Sequence, residues 1–269
     1  MARPPLRALF SKATRSARRH RGPALCLHEV ASPRIQPALD GVRIGQLSDI
    51  HVRTGVKPRA LHAAVEILNE LKPDLVVLTG DYVCMSARPV PLLVEALRKL
   101  RIQSYATLGN HDHWTDARQV RRALAKAGVD VLSNEHRRIH LGRAHLYLVG
   151  IDDSITRHHD PESAFSGVPA QVTRVVLSHD PRTADFLHHY RPALILSGHT
   201  HGGQIYFDKL TPFLWRRAGA KYLSGLFDVH GTVLFVSRGI GASVPVRFRA
   251  PREVAQLTLR SAPGVSAPA

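Results

Sequence analysis

The sequence predicts an α/β fold, and three observations support that class. Short aliphatic runs typical of buried strands alternate with segments whose apolar residues recur at helical spacing. Metal-ligating side chains follow five of the predicted strands, as expected where the carboxyl ends of strands form a ligand site. At 269 residues, 44% of them hydrophobic, the chain can bury a sizeable core.

Nine strands are predicted, each an aliphatic run bounded by glycine, proline or polar residues. Leu75–Thr79 is typical, because it is almost wholly apolar, follows Pro73-Asp74 and ends at Gly80-Asp81. The first strand is expected at a sheet edge. The nine are Leu25–Val30, Val42–Leu47, Leu75–Thr79, Ser104–Leu108, Ala144–Val149, Val175–Leu177, Ala193–Ser197, Thr232–Val236 and Val254–Leu259.

Four helices are predicted between these strands. Pro58 opens the helix Arg59–Leu71, whose leucines and valine are spaced for one buried face. A helix is expected between an N-cap at Thr115 and a stop at Gly128. The other two are Pro91–Leu100 and Arg182–His189, and residues 205–227 are expected to be irregular.

The sequence predicts three parts: a basic N-terminal arm over residues 1–23, one folded domain over 24–260 and a disordered tail over 261–269. Residues 1–21 hold seven Lys or Arg and no acid. The arm forms either a frayed, solvated tail or a short amphipathic helix on anionic lipid. Arg18-Arg19 is similar to a twin-arginine export signal, but only the short stretch 22–27 follows before charged residues. We therefore expect no signal peptide and no transmembrane segment.

A net charge of +16 favours an anionic partner, either a phospholipid surface or nucleic acid, or it reflects arginine used for solubility. No nucleic-acid recognition motif is present, so nucleic acid is not the expected partner. The two cysteines, Cys26 and Cys84, cannot form a thiolate zinc site or a disulfide framework. A cytoplasmic location is expected, with peripheral binding to the inner face of the membrane as an alternative.

Seven residues at the strand ends are of types that bind divalent metals: Asp49, His51, Asp81, Asn110, His179, His199 and His201. Seven ligands exceed the need of one ion that must keep positions open for water and substrate. Two ions sharing one bridging carboxylate use them well, and Asp81 on a central strand is the best bridging candidate. Two ions about 3.5–4 Å apart hold a hydroxide and clamp the oxygens of an in-line displacement at phosphorus. The mixture of ligands favours Mn or Fe, with Zn, Co or Mg as alternatives.

His111 follows Asn110 without an evident metal role. An imidazole beside two ions can protonate the leaving alkoxide as a general acid. Asp112 is predicted to hold that ring in position. The alternative is that His111 simply packs the loop.

These motifs resemble the calcineurin-like metallophosphoesterase superfamily. The pattern runs through Asp49-Ile50-His51, Gly80-Asp81, Gly109-Asn110-His111-Asp112, His179 and Gly198-His199-Thr200-His201. The resemblance implies a four-layer sandwich of two mixed β-sheets flanked by helices. It also implies that Asp49, His51, Asp81 and His201 hold the first metal, and that Asp81, Asn110, His179 and His199 hold the second.

Finer features are similar to the bacterial YkuE/YaeI-like branch, which includes membrane-associated phosphodiesterases. They are Leu47-Ser48-Asp49-Ile50-His51, Ser178-His179-Asp180-Pro181, the block Gly198–Gln204 and Ser237-Arg238-Gly239-Ile240-Gly241. The branch also includes enzymes that cleave the pyrophosphate of UDP-diacylglucosamine in lipid A synthesis. The resemblance thus implies a lipid- or nucleotide-linked phosphodiester or pyrophosphate as substrate.

Several alternatives stay open on the sequence. A nuclease would fit the positive charge, and a non-catalytic metal-binding scaffold would require lost ligands, none of which is missing. Monoesterase and diesterase chemistry use the same ligands. Leu210–Arg217 either meets lipid or is a loop with its aromatics in the core, and Asp152 and Asp153 either contact the site or cap a loop.

Overall fold

Two six-stranded β-sheets pack face to face, and helices cover the outer face of each sheet. The computed structural model describes residues 22–263 except 209, 218, 220 and 245. The strands are β1 Ala24–Ser32, β2 Arg43–Leu47, β3 Leu75–Thr79, β4 Ser104–Thr107, β5 Val129–Val131, β6 Glu135–Leu141, β7 Ala144–Ile151, β8 Arg174–Ser178, β9 Leu194–Ser197, β10 Gly225–Val229, β11 Thr232–Val236 and β12 Glu253–Ser261.

The strand order brings the carboxyl ends of the central strands to one edge. The first sheet runs β1-β12-β2-β3-β4-β5, and the second runs β10-β11-β9-β8-β7-β6. In the first sheet only the pair β12–β2 is antiparallel, and in the second only the outer pairs β10–β11 and β6–β7 are. Loops that follow β2, β3, β4, β8 and β9 therefore converge.

Seven α-helices complete the described part of the chain: α1 Arg59–Leu71, α2 Val90–Leu97, α3 Asn110–Thr115, α4 Ala117–Lys126, α5 Pro161–Phe165, α6 Ala184–Leu187 and α7 Leu210–Arg217. Helices α1, α2 and α4 pack on the first sheet. Helices α5 and α6 pack on the second. None of the helices described is long and apolar enough to cross a bilayer.

Strand β3 shows why the central strands are apolar throughout. Its residues alternate between two cores, because successive side chains of a strand point to opposite faces. Val76 and Leu78 pack against the helices, whereas Leu75 and Val77 pack against the second sheet. A strand covered on both faces has no polar side, so it reads as a continuous hydrophobic run.

The predicted fold class and four-layer architecture are confirmed, and α1, β3 and β11 have the predicted bounds. The helix expected between Thr115 and Gly128 is α4, but its N-cap is Asp116, whose carboxylate accepts from Gln119 N, whereas Thr115 ends α3. Residues 182–189 form short 3-10 and α segments instead of one helix. The stretch 205–227 was expected to be irregular but contains α7 and the start of β10.

The chain ends differ in part from expectation. Ser261 is not the start of a tail, because it ends β12 and pairs with Ser32 of β1. Residues 264–269 lie outside the described residues. The basic arm also lies outside them as far as residue 21.

Candidate metal centre

All seven predicted metal ligands lie where the carboxyl ends of the two sheets meet. Their loops are joined by backbone hydrogen bonds, with Asp49 N donating to Gly80 O at 3.0 Å and His51 N donating to Asp81 O at 3.0 Å. The loop after β11 joins them through Gly241 N, which donates to Asp49 O at 2.7 Å. The site is thus built from both sheets.

Backbone strain is concentrated at the candidate ligands. Five of the seven adopt positive φ, a region that costs a non-glycine residue about 1–3 kcal/mol and that clusters at functional sites. The φ values are 51° at Asp49, 47° at His51, 58° at Asp81, 70° at His199 and 52° at His201. The surrounding hydrogen bonds hold these residues in place, so the strain serves to aim their side chains inward.

Glycine is required at one contact between the loops. A Cβ at Gly198 would overlap the side chains of Ser48 and Asp49. The absence of a side chain lets the backbone approach closely enough for His199 N to donate to Asp49 Oδ1 at 3.0 Å. The glycine before the histidine pair is therefore part of the site's construction.

One group of ligands is formed by Asp49, His51 and His201. Their ligand atoms lie within 4.8 Å of one another, and all three residues are buried. His51 Nε2 lies 3.1 Å from His201 Nε2, and His201 Nε2 lies 3.5 Å from Asp49 Oδ1. We call this group the first position.

A second group is formed by Asp81, His179 and His199, again with ligand atoms within 4.8 Å of one another. Asn110 lies beside it at the start of α3 and is 1% exposed. We call these four residues the second position. A third convergence of His51, Cys84 and His111 meets the same distance limit, but it shares His51 with the first position.

Asp81 lies between the two positions. Its Oδ2 is 3.5 Å from His51 Nε2 and 3.3 Å from His179 Nε2. Its Oδ1 accepts a hydrogen bond from His111 N at 3.0 Å. One carboxylate therefore faces histidines of both groups, which is the placement that a bridging ligand needs.

The donor atoms fit divalent cations. His179 Nδ1 donates to Thr79 O at 2.7 Å, and His51 Nδ1 lies 3.2 Å from Val83 O. A carbonyl at Nδ1 keeps the proton there and leaves the Nε2 lone pair for a metal. The buried Asn110 Oδ1 has no hydrogen-bond partner, and His179 Nε2 faces the Asp81 carboxylate at 3.3 Å. Buried polar atoms are normally paired, so the unpaired amide oxygen of Asn110 fits a site that takes a cation.

Burial and neighbouring charges prepare these groups for metal binding. Burial lowers the pKa of His51 to about 4, and burial together with Arg247 lowers that of His201 to about 3, so both rings are neutral at pH 7. Burial also lowers the pKa of His179, but Asp81 outweighs it and raises that pKa well above its ordinary value. A proton on His179 then compensates the Asp81 carboxylate in the absence of a cation.

His111 lies over the first position. Its ring is T-shaped to the ring of His51 at a centroid distance of 4.8 Å, and the centroid of the Trp114 ring lies 5.1 Å away. Its Nδ1 is buried and has no hydrogen-bond partner. The ring is therefore positioned at the site without being used by the loop.

The prediction that Asp112 holds the ring of His111 is wrong. Both Asp112 oxygens accept from backbone amides, with Oδ2 taking Gly109 N and Asp81 N at 2.9 Å each and Oδ1 taking Tyr82 N at 2.8 Å. Asp112 is 0% exposed and therefore ties the loop after β4 to the loop after β3. Burial, followed by Asp81, raises the pKa of Asp112 to about 7.

Arg247 is the main residue that the sequence analysis missed. Its guanidinium donates to His201 Nδ1 at 3.1 Å, and also to the carbonyls of Arg238 at 2.7 Å and Ala250 at 3.1 Å. It lies in a loop without helical or strand periodicity. Only its position six residues after the block Ser237–Gly241 could have drawn attention to it.

The structure bears on the two open alternatives outside the centre. Asp153 caps its own loop by accepting from Thr156 N at 2.7 Å, and Asp152 accepts from His113 Nε2 at 2.7 Å. Leu210–Arg217 is a helix, and Phe213 on it is 57% exposed, so its aromatics are not all in a core.

This fold and site define a metal-dependent phosphoester hydrolase. The chain belongs to the calcineurin-like phosphoesterase family, whose model matches residues 42–203. The metallophosphoesterase YkuE of Bacillus subtilis is 31% identical over 87% of this chain and 84% of its own length. A transmembrane protein with a metallophosphoesterase domain from Danio rerio is 30% identical to this chain. The alignment covers 87% of this chain and 56% of that relative.

A third relative is the UDP-2,3-diacylglucosamine pyrophosphatase LpxG of Chlamydia muridarum, 26% identical over 80% of this chain and 83% of its own length. Among solved structures, TT1561 of Thermus thermophilus aligns at a TM-score of 0.52 with 11% identity, covering 74% of this chain and 90% of its own. A dimetal phosphatase from Danio rerio aligns at 0.50 with 12% identity, covering 81% and 99%. These two structures support the fold.

Proposed function

We propose that this chain hydrolyses a phosphodiester or pyrophosphate bond in a lipid-linked or nucleotide-linked substrate, with two divalent ions at the first and second positions. The observation that carries the proposal is the placement of Asp81 Oδ2, which is 3.5 Å from His51 Nε2 and 3.3 Å from His179 Nε2. A carboxylate so placed serves both ions at once.

Each ion would have four protein ligands. Asp49, His51, Asp81 and His201 would hold the first ion. Asp81, Asn110, His179 and His199 would hold the second. Mixed oxygen and imidazole donors favour Mn or Fe, with Zn, Co or Mg as alternatives. Bound ions of this kind activate a water for attack and neutralise the charge on the phosphoryl oxygens.

His111 would supply the proton that the leaving alkoxide needs. Its unpaired Nδ1 and its place over His51 leave the ring available for proton transfer. Its backbone N–H donates to Asp81 Oδ1 at 3.0 Å, which holds the start of α3 against the shared carboxylate. Asp112 would act indirectly, by holding the loops that carry Asp81 and His111.

The surroundings of His51 support an amphiphilic substrate. Residue His51 is part of the lining of a cavity of about 590 Å³. Apolar side chains, among them Val52 and Leu61, line part of it, and Arg53, Lys57 and Arg252 add positive charge. A molecule that combines a phosphate group with an acyl or other apolar part would use both features. The relative named as a UDP-2,3-diacylglucosamine pyrophosphatase acts on such a molecule, so a lipid A precursor is a specific candidate.

We place the protein in the cytoplasm, with peripheral binding to the anionic inner face of the membrane. The basic arm supports this location, since each Lys or Arg near an anionic surface contributes about 1 kcal/mol. Two relatives, from Danio rerio and Bos taurus, are named as transmembrane proteins with a metallophosphoesterase domain. These names are consistent with chemistry at a membrane.

The function is tested by hydrolysis of bis-p-nitrophenyl phosphate by metal-stripped protein, with and without Mn²⁺. We expect turnover only with metal, its loss in Asp81→Asn, and its retention in Asp208→Asn, whose side chain is exposed at the surface. Folded wild-type protein that shows no turnover with any of the five metals would contradict the proposal. Uridine diphosphate-linked lipids are then compared with nucleoside monophosphates to separate diester and pyrophosphate cleavage from monoesterase activity.

A further inference from the structure

Exposed apolar side chains are concentrated in two segments near the metal centre. Of the twelve large apolar side chains exposed in the described part of the chain, eight lie within residues 205–214 and 244–248. Phe213 is 57% exposed, Leu214 52% and Phe248 47%. Single exposed apolar residues are ordinary, whereas a concentration of this kind marks an interaction site. We call the exposed apolar side chains of these two segments the apolar face.

The two segments form one surface. Tyr206 N donates to Phe248 O at 2.8 Å, and Phe248 N donates to Gln204 O at 3.0 Å. The rings of Phe207 and Phe248 lie 5.4 Å apart. Gln204 Nε2 also donates to Val244 O at 3.1 Å. Hydrogen bonds therefore hold residues 205–207 beside residues 244–248, and Thr211 Oγ1, which donates to Ile205 O at 3.1 Å, ties the start of α7 to the same segment.

The apolar face borders the metal centre. The first segment begins four residues after His201, a ligand of the first position. The second segment contains Arg247, whose guanidinium contacts the ring of that histidine. Arg53, which lines the cavity beside His51, donates to Ala242 O at 2.7 Å just before the second segment. Whatever covers the face is therefore held next to the site.

The face is accompanied by positive charge. Three exposed arginines lie in or next to the two segments, Arg217, Arg249 and Arg252, beside one exposed acid, Asp208. The Arg249 guanidinium lies 5.6 Å from the ring centroid of Phe248, so charge and apolar surface are adjacent. Apolar side chains beside basic ones match the boundary between acyl chains and anionic headgroups.

A second copy of this chain is a poorer match. A twofold interface would place the same patch of each copy against the other, and its excess of basic residues would face like charge. An anionic bilayer supplies the opposite charge as well as the apolar environment.

We propose that the apolar face inserts into the surface of an anionic phospholipid bilayer and orients the metal centre toward it. Docking does not depend on catalysis. The consequence for activity, that lipid-linked substrates reach the site without leaving the bilayer, rests on the proposed function. The face is a separate contact from the basic arm, which lies at the other end of the sequence.

The test is sedimentation of the full chain with vesicles. Metal-stripped protein is mixed with vesicles of phosphatidylcholine alone or with phosphatidylglycerol added. We expect binding to the anionic vesicles, and a decrease of about tenfold or more in the partition coefficient of Phe213→Ser/Leu214→Ser, because two half-exposed side chains lose their transfer into lipid. Phe186→Ser, an exposed apolar residue on α6, is the matched control and should bind as wild type does.

Binding that is equal in wild type and the double variant would overturn the proposal and leave the arm as the membrane contact. Absence of wild-type binding, with a concentration-dependent dimer that the double variant loses, would overturn it in favour of a second copy. Quenching of Trp215 by brominated acyl chains, in a Trp114→Phe background, gives an independent readout of whether α7 enters the bilayer, and no quenching would contradict docking. Both serine variants should hydrolyse bis-p-nitrophenyl phosphate at the wild-type rate, so a failure of the proposed chemistry is seen separately in wild type.

Discussion

The two metal positions share Asp81, but one histidine at each position has a different hydrogen-bond partner at its Nδ1 atom. At the second position a backbone carbonyl, Thr79 O, accepts from His179 Nδ1 at 2.7 Å. At the first position a guanidinium, that of Arg247, donates to His201 Nδ1 at 3.1 Å. A carbonyl can only accept and a guanidinium can only donate, so the two rings favour opposite tautomers.

This difference has a consequence for metal binding. With Nδ1 as acceptor, the neutral ring of His201 carries its proton on Nε2, the atom that faces Asp49 Oδ1 at 3.5 Å. An ion at the first position must displace that proton, and the remaining proton on Nδ1 would then oppose Arg247, so the guanidinium must also shift. An ion at the second position displaces the proton that the raised pKa keeps on His179 Nε2, but the backbone carbonyl at Nδ1 then holds the neutral ring in the metal-binding tautomer. His51 at the first position has a carbonyl at Nδ1 as well. We therefore expect the second position to bind the tighter ion and the first position the weaker one.

The largest effect on metal content and turnover is expected from replacing Asp81, the carboxylate that the two positions share. Asp81→Asn should abolish retention of both ions and lower turnover of bis-p-nitrophenyl phosphate by at least about 10²–10³-fold, the usual loss for a group that stabilises transition-state charge. Metal content after gel filtration is the measurement. Two ions per chain in folded Asp81→Asn would show that the positions do not share this carboxylate.

His111 lies beside the first position, next to the ring of His51. Its replacement therefore tests whether this side of the centre supplies the proton to the leaving group. His111→Ala should lower turnover of an alkyl phosphodiester, whose leaving group needs a proton, by about 10²–10⁴-fold. Bis-p-nitrophenyl phosphate has a stable leaving group and should be far less affected. Equal losses on the two substrates, measured at saturating Mn²⁺, would exclude the general-acid role.

Removing the Arg247 guanidinium should make the metal affinities of the two positions more similar. In Arg247→Gln the His201 proton can move to Nδ1, so the affinity of the weaker ion should rise by about tenfold, at the lower end of the effects of residues that orient metal ligands. Arg249→Gln is the matched control, two residues away and exposed. Calorimetric titration with Mn²⁺ measures both constants, and a weaker or unchanged first position in Arg247→Gln would refute the tautomer argument.

A smaller effect concerns the pH dependence of the metal-free protein. Because the folded pKa of His201 is lowered to about 3, the unfolded chain binds more protons than the folded one below pH 6.5, and this histidine's contribution to stability is lost as the pH falls from 6.5 toward that value. His179 acts in the opposite sense, because its raised folded pKa gives stability that is present below pH 6.5 and lost at higher pH.

Between pH 7.5 and pH 5.5 in chelator, His201→Gln should therefore lose less of its melting temperature than wild type, and His179→Gln should lose more. A difference of 1 kcal/mol corresponds to about 2–4 °C for a domain of this size. Melting curves with the same pH dependence in both variants would mean that the two rings do not differ in protonation.

How far the sequence predicts this centre depends on whether its contacts are local. Asp49, Asp81 and His179 follow aliphatic runs, and parallel strands bring their carboxyl ends to one edge, so their convergence is predictable. Asp112 shows the limit of adjacency, because it follows His111 in sequence yet binds the backbone of another loop. Arg247 reaches His201 across a tertiary contact that no spacing encodes.

The same limit applies to the fold. Strand β6 was missed because five of its seven residues are charged or histidine, so it has no aliphatic run. It is a strand because it pairs with β7. Helix α7 was missed because its apolar residues do not face a core. Elements whose residues meet water or an external partner lack the pattern that burial imposes.

The most direct test of the central claim is a stepwise titration of metal-stripped wild-type protein with Mn²⁺, followed by native mass spectrometry, beside His179→Gln and His201→Gln. Two unequal ions sharing Asp81 predict two binding steps in wild type, a single tight step in His201→Gln and a single weak step in His179→Gln. A single ion in wild type, or two equal steps that neither substitution separates, would contradict the account.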